Sequence, residues 1–398
     1  MDILIDPNEF LSALSLCLDF TEVGVQRHHK RVAYMATILA EEIGLSQEEK
    51  ELVYLASIVH DIGISTWKEK KMLAKFDSTP PLEHCENGSQ MVAGVDILRP
   101  IAKIILSHHD RFEGGNKSGF TGDEIPIAAR IIHLVDRVDV LFKINGTHIL
   151  VQKDNIVQEI EKLSGRTFDP VLVKSLKKLT ERESFWLGLI SSFDKNKRPI
   201  KNLNINEEDL RQIARMFATV IDKKSPFTYH HSHGVESTAT YLATSLGIKD
   251  TISMEIAGLL HDLGKLSIPD EILEKPGPLS NDELAFMKQH TYFTFYILQE
   301  AGLRSPIPEW AAYHHEKLDG SGYPFHLDAS QLSLGSRIMA VADVFTALRE
   351  DRPYHQGMDK KNVDKIMYKM VANCALDKKI VQALFDNYDE INFKFNNL

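Results

Sequence analysis

The sequence predicts an all-α protein built as two helical bundles in tandem, and three observations carry that expectation. Apolar residues recur at helical spacing through most of the chain, and no long alternating run competes for a sheet. The histidines and aspartates of the first half also return, in the same order, in the second.

That repeat is the strongest signal. His28, His60-Asp61, His84, His108-His109 and Asp136 match His231, His261-Asp262, His290, His314-His315 and Asp343, offset by 201 to 207 residues. With 17 histidines in 398 residues, any one position is histidine by chance roughly 4% of the time. Five ordered matches, two of them dipeptides, are therefore no accident. The apolar context repeats too: Val32, Met35, Ala36 and Leu39 follow His28, and Val235, Thr238, Ala239 and Leu242 follow His231. Both sets put the lead histidine on the core-facing stripe of a helix. This register selects His231 over its neighbours His230 and His233, while His29, His133, His148, His326 and His355 lack a counterpart.

Ser46-x-x-Glu49 reads as a capping box opening a helix that ends at His60-Asp61, and Asp250 as the cap of its counterpart. The organisation expected is a first domain over 1–165, a helical linker over 166–204 with a helix at 170–180, and a second domain over 205–398. The polar stretch 194–199 marks the boundary, and Asn204-x-x-Glu207 is the expected cap of the next helix.

Composition narrows the chemistry. Hydrophobic content of 43% and charged content of 26% suit a globular protein, and no apolar run approaches the ~20 residues of a membrane span. The acidic start, Met1-Asp2-Ile3, is unlike a signal peptide, so a cytoplasmic location is expected. Three scattered cysteines, Cys17, Cys85 and Cys374, have no CxxC partner, which argues against a disulfide framework or a thiolate metal site. A net charge of -10 disfavours long nucleic acid, yet a small anion stays compatible because bound cations can reverse the local field.

Imidazole and carboxylate are the donors that hold first-row divalent metals. Taken singly, a buried histidine is more often a hydrogen-bonded core residue; it is the ordered repetition that favours ligands. His261 and Asp262, adjacent at a helix end, can meet one cation while the second oxygen of Asp262 reaches another.

The second half resembles the HD superfamily of metal-dependent phosphohydrolases in its HD-GYP branch. The resemblance lies in His261-Asp-Leu-Gly-Lys265, Ile268-Pro-Asp-Glu-Ile-Leu273, Lys275-Pro276, His314-His-Glu316, Asp319-Gly-Ser-Gly-Tyr-Pro324, Arg337 to Asp343, and Asp351-Arg-Pro-Tyr354. It implies a phosphodiesterase acting on a bacterial cyclic dinucleotide, cyclic di-GMP first and 3′3′-cGAMP close behind, with two divalent cations, iron or manganese favoured. His231, His261, Asp262 and Asp343 would hold one cation, and Asp262 would bridge to a second held by His290, His314 and His315. Lys265 would contact the scissile phosphate, Tyr323 and Pro324 would line the pocket, and Arg352 would reach a phosphate or base. The cations would activate a water for in-line attack, making Asp262 and Lys265 the catalytic pair. Phe227 stands where some members carry a glutamate for a third metal, which leaves a two-metal site, and His355 replaces a frequent Lys or Arg.

The first half resembles an HD domain without these additions, with Ile64 at the lysine position. It is expected to bind metal through His28, His60, Asp61, His84, His108, His109 and Asp136 without cleaving the cyclic substrate itself. A nucleotide receptor and a broader nucleotidase are the alternative functions. Oligomeric state is open, a homodimer being one option.

Overall fold

A computed structural model of the protein describes residues 5–21, 24–25, 27–64, 66–73, 75, 83–142, 148–191, 199–201, 203–224, 231–350 and 357–395. Among these the architecture is helical, with one two-residue strand pair, Phe20–Thr21 with Gly24–Val25, and three isolated bridges. The chain divides into two compact units, Asp6–Asn204, and Ile205–Leu398 with Met1–Ile5. No helix among the described residues is long and apolar enough to cross a membrane.

The two units use one plan. In the first, helix His28–Glu42 packs on Gln47–Val59 and Ile127–Leu141; in the second, His231–Ser245 packs on Thr251–Leu260 and Leu334–Arg349. The stripes expected from sequence form the seams, since Val32, Met35, Ala36, Leu39, Val235, Ala239 and Leu242 are all fully buried. Ser46 and Glu49 make the capping box, and Asp250 accepts from the Ser253 N–H. The cap expected at Asn204 moves by two residues. Ile205 still pairs in extended form with Ile5, so the helix Glu207–Lys223 opens on Asn206, whose side chain accepts from the Asp209 N–H while its own N–H donates to the Asp209 carboxylate.

Residues 166–204, read from sequence as a linker, group with the first unit. Asp169 caps helix Pro170–Thr180, which buries Leu172, Val173, Leu176 and Leu179; helix Glu183–Ile190 buries Phe185, Trp186 and Leu189. An apolar face of that size needs a partner, and both helices find it on Ile149–Glu161 and His28–Glu42. Of the polar boundary stretch, residues 194–198 lie outside the described residues. The Pro199 carbonyl accepts from the Gln47 side chain at 2.7 Å.

One close approach sets the site geometry in each unit. A Cβ on Gly264 would stand 1.9 Å from the His290 carbonyl oxygen, and one on Gly63 would stand 2.0 Å from that of His84. Glycine after the His-Asp pair thus lets the turn lie against the helix that carries the next histidine. In the second unit Thr294 fastens this seam, donating to the His261 carbonyl at 3.0 Å and accepting from the Gly264 N–H at 2.9 Å. Gly88 stands at the matching place in the first unit, where a Cβ on Gly63 would come within 2.6 Å of the Gly88 nitrogen.

Gly264→Ala should destabilise the second unit by about 1–3 kcal/mol through overpacking, and Gly63→Ala the first; unchanged melting of both variants would contradict this packing. A second expectation concerns Glu236, half-buried beside Glu255, which itself pairs with Arg211 and Arg215 at 2.8 Å. Burial and the Glu255 charge raise the Glu236 carboxyl from 4.5 to about 7. The fold therefore favours its protonated form: this share of stability is full below about pH 4.5 and is lost as pH rises through about 7. Glu236→Gln should accordingly stabilise the protein by on the order of 1 kcal/mol at about pH 8 and leave it unchanged near pH 4. Equal melting shifts at both pH values would contradict that linkage.

Candidate metal centres

The second-unit site is assembled by helix ends. Helix Thr251–Leu260 stops at His261, whose backbone is still helical, and the following 3-10 turn, Leu263–Ser267, carries Lys265. Helix Asn281–Glu300 brings His290, the turn Tyr313–His315 brings the histidine pair, and helix Leu334–Arg349 brings Asp343. Asp262 lies at the centre with its oxygens facing opposite ways. Oδ2 is 3.1 Å from His261 Nε2 and 3.6 Å from His231 Nε2. Oδ1 is 3.6 Å from His290 Nε2 and 3.9 Å from His314 Nε2. Asp343 Oδ1 is 3.3 Å from His231 Nε2, and its Oδ2 is 3.9 Å from His315 Nδ1. All seven residues expected from sequence as metal ligands thus converge, and His231, His261 and Asp343 form one potential donor set while His290, His314 and His315 form another.

The rings are aimed by their own backbone. His261, His290 and His314 donate from Nδ1 to the carbonyls of Gly258, Met287 and Ala311 at 2.8, 2.6 and 2.7 Å. Each bond is to the residue three positions earlier, and it leaves the Nε2 lone pair directed at the centre. Burial pushes His290 down to about 3, against the pull of Asp262, and drives His314 well below its usual range. Both imidazoles therefore stay neutral, the form that binds a metal. Burial opposes the charge on Asp262, but His261 and Lys265 hold its carboxyl well below the usual carboxylate range.

Buried polar atoms in a dry core normally have partners. Here His231 Nε2, His261 Nε2 and Asp262 Oδ1 are buried with no hydrogen-bond partner, and all three belong to the converging donors. The donors and their empty valences fit divalent cations, so the imidazoles and carboxylates are placed to hold them.

Lys265 Nζ lies 2.5 Å from Asp262 Oδ2. The Tyr323 ring packs on His315 at 4.9 Å and edge-on to His290 at 6.4 Å, with Lys288 Nζ over the ring at 5.5 Å from its centroid. Pro324 follows on the same loop, whereas Arg352, Phe227, Tyr354, His355 and His230 fall outside the described residues.

Two supporting carboxylates carry no role in the sequence reading. Glu350 accepts from His231 Nδ1 at 3.0 Å, and this partner, with Asp343, raises His231 to about 10 against the effect of burial. Glu316, buried, accepts from the Phe325 and Leu327 N–H groups at 2.7 and 3.0 Å and so holds the Tyr323-Pro324 loop. Its adjacency to the histidine pair was the available signal; Glu350, seven residues past Asp343, offered none.

The first unit repeats the centre. Asp61 Oδ2 is 3.4 Å from His60 Nε2 and 3.9 Å from His28 Nε2, and its Oδ1 is 3.5 and 3.6 Å from Nε2 of His84 and His108. Asp136 Oδ1 is 3.3 Å from His28 Nε2, and Oδ2 is 4.0 Å from His109 Nδ1. Asp139, the counterpart in role to Glu350, binds His28 Nδ1 at 2.8 Å and is itself clamped by Arg31. Asp61 Oδ1 and both His109 nitrogens are buried without hydrogen-bond partners. Several differences separate this centre from the other, three of them beside its aspartates and lead histidines. Buried Ile64 occupies the lysine position, Arg137 pairs with Asp136 Oδ2 at 2.7 Å, and His29, bound to Asp19 at 2.6 Å, joins the ring cluster at His60.

Comparisons with known proteins bear on the family. The HD domain family model matches residues 25–141, and a second model, also an HD domain, matches 215–380. A 3′3′-cGAMP-specific phosphodiesterase of Vibrio cholerae is 33% identical over 388 residues, covering 94% of this chain and 90% of that protein. A cyclic di-GMP phosphodiesterase of Pseudomonas aeruginosa is 40% identical over 134 residues, 33% of this chain and 32% of that one. The fold matches a crystal structure of a cyclic GMP-AMP specific phosphodiesterase of V. cholerae with a TM-score of 0.68 at 24% identity, covering 98% of each chain. With the duplicated His-Asp centres and the Gly-Tyr-Pro loop already in place, these matches lead to one conclusion: the chain belongs to the HD-GYP family of cyclic-dinucleotide phosphodiesterases and carries a second HD domain in its first half.

Proposed function

We propose that the second unit hydrolyses a phosphodiester bond of a bacterial cyclic dinucleotide, giving the linear dinucleotide and then, in a further cut, mononucleotides. The observation that carries this reading is Asp262, whose two oxygens face two separate histidine groups. That arrangement suits a bridge between two divalent cations, with iron or manganese favoured by the nitrogen and oxygen donors. When bound, the cations supply Lewis acidity and a water nucleophile at neutral pH. The chain's own residues do the rest. Neutral His290 and His314 present their Nε2 lone pairs without first losing a proton, and Glu350 orients His231. Lys265, with its ammonium at the edge of the centre and partly exposed, is placed to meet charge growing on the phosphoryl oxygens. Tyr323 and Pro324, held by Glu316, form the wall against which the substrate lies.

The match to a 3′3′-cGAMP-specific relative spans nearly the whole chain, whereas the cyclic di-GMP relative matches a third of it. This supports 3′3′-cGAMP as the preferred substrate and cyclic di-GMP as the second. For the first unit we propose metal binding without cleavage of the cyclic substrate. Its seven donors converge as in the second unit, but Ile64 supplies no cation for a phosphate, and no Gly-Tyr-Pro loop follows His109.

Purified full-length protein loaded with manganese or iron should linearise 3′3′-cGAMP faster than cyclic di-GMP. Turnover of nucleoside triphosphates with neither cyclic dinucleotide cleaved would overturn the substrate assignment. Asp262→Ala should abolish hydrolysis and lower bound metal, whereas Lys265→Met should keep the metal and reduce kcat on the order of 100-fold. Full hydrolysis by Asp262→Ala would refute the site. Asp61→Ala should lower metal content yet leave linearisation intact, and loss of turnover in a folded Asp61→Ala protein would place catalysis in the first unit as well.

A further inference from the structure

The two buried cysteines of the first unit meet different fates. Cys17 donates its thiol to the Leu14 carbonyl, three residues back on its own helix, at 2.6 Å. That is the usual way a buried helical thiol is satisfied, and burial leaves it inert. Cys85, in helix Glu83–Ala93, is instead directed into the His-Asp cluster: its Sγ lies 3.5 Å from His84 Nε2. This is the same nitrogen that faces Asp61 Oδ1 at 3.5 Å and His108 Nε2 at 3.3 Å. The matching residue in the second unit, Thr291, turns away and donates to the Lys288 carbonyl at 3.0 Å. Two further facts point to a ligand here. His109, buried, has both ring nitrogens unpartnered, and Asp61 Oδ1 beside it is unpartnered as well. A cavity of about 180 Å³, lined by Cys85, His109, Asp110, Lys117 and Ser118 among others, reaches this side of the cluster and leaves room for entry.

We propose that Cys85 is a thiolate ligand of the first unit's metal position at Asp61, His84, His108 and His109, giving a mixed nitrogen, oxygen and sulfur centre for a thiophilic divalent cation such as zinc. This rests on the reading that the first unit holds metal, and it adds what distinguishes that metal from the pair in the second unit. Imidazole and carboxylate alone suit iron or manganese, while a thiolate shifts preference toward zinc. Thiolate donation also lowers the Lewis acidity of the bound cation, in keeping with a centre that binds without cleaving. On binding, the thiol proton passes to solvent as the metal–sulfur bond forms, and no electron changes hands.

The test is cobalt substitution of the full-length protein. Sulfur coordination gives a near-ultraviolet sulfur-to-cobalt charge-transfer band that nitrogen and oxygen donors do not give. The band should appear in the natural sequence and in a Cys17→Ser, Cys374→Ser double variant, and should vanish in Cys85→Ser and in Cys85→Thr, which installs the residue of the second unit. Cobalt content compared with Asp61→Ala separates the two ways of failing. More cobalt than in Asp61→Ala but no band means that the first unit holds metal without Cys85, which overturns this proposal alone. Equal cobalt in both means that the first unit holds none, which overturns the metal reading with it. A band that survives loss of Cys85 also overturns the proposal. Should the Cys85 variants fail to fold, absence of the band from the Cys17, Cys374 double variant would still overturn it.

Discussion

Everything in the second unit turns on one buried carboxylate whose two oxygens serve different groups of imidazoles. Placing Asp262 beyond reach of bulk water is costly unless it is paired, and its neighbours are arranged to offset that cost. His231 and His261 lie on one oxygen, His290 and His314 on the other, with Lys265 at the rim. The helices exist in this order to bring those side chains together. The glycine after the lysine's turn begins exists so that the turn can touch the next ligand helix. Even then three polar atoms stay unsatisfied, a debt that divalent cations are suited to cancel.

The same scaffold in the first unit shows which parts belong to packing and which to chemistry. The bridging carboxylate, the five histidines, the aspartate of the closing helix and the close-approach glycine are all retained. What differs lies around them. A lysine becomes a buried isoleucine, a threonine that fastened the seam becomes Gly88, and Thr291, turned onto its own helix, becomes Cys85 facing the metal position. Arg137 adds a fixed positive charge on Asp136 that the second unit lacks at Val344. The first unit thus shares the convergence of histidines and aspartates but has neither a lysine at position 64 nor a Gly-Tyr-Pro loop.

Much of this was legible in the sequence because the ligands are repeated and because helix caps are local. Seven donors per half, the seam residues behind His28 and His231, the Ser46 and Asp250 caps and the helix at Pro170 all follow from spacing and short-range hydrogen bonding. The remainder depends on long-range neighbours. Asn206 replaces Asn204 as a cap only because Ile205 pairs with Ile5, far away in sequence. Residues 166–204 join the first unit because their apolar faces find Ile149–Glu161 and His28–Glu42, a choice that the segment's own pattern does not reveal. Glu350 and Asp139 play one part from two different helical offsets, seven and three residues after the aspartate they accompany, so no shared spacing exposes them. Cys85 stands next to a ligand histidine, yet adjacency on a helix does not say where a side chain points.

The central claim concerns two cations straddling Asp262, and anomalous diffraction from crystals of the manganese-loaded protein measures that directly. The account predicts two anomalous peaks in the second unit, one beside each carboxylate oxygen of Asp262, ringed respectively by His231, His261 and Asp343 and by His290, His314 and His315. A single peak, or peaks bound away from Asp262, would contradict it.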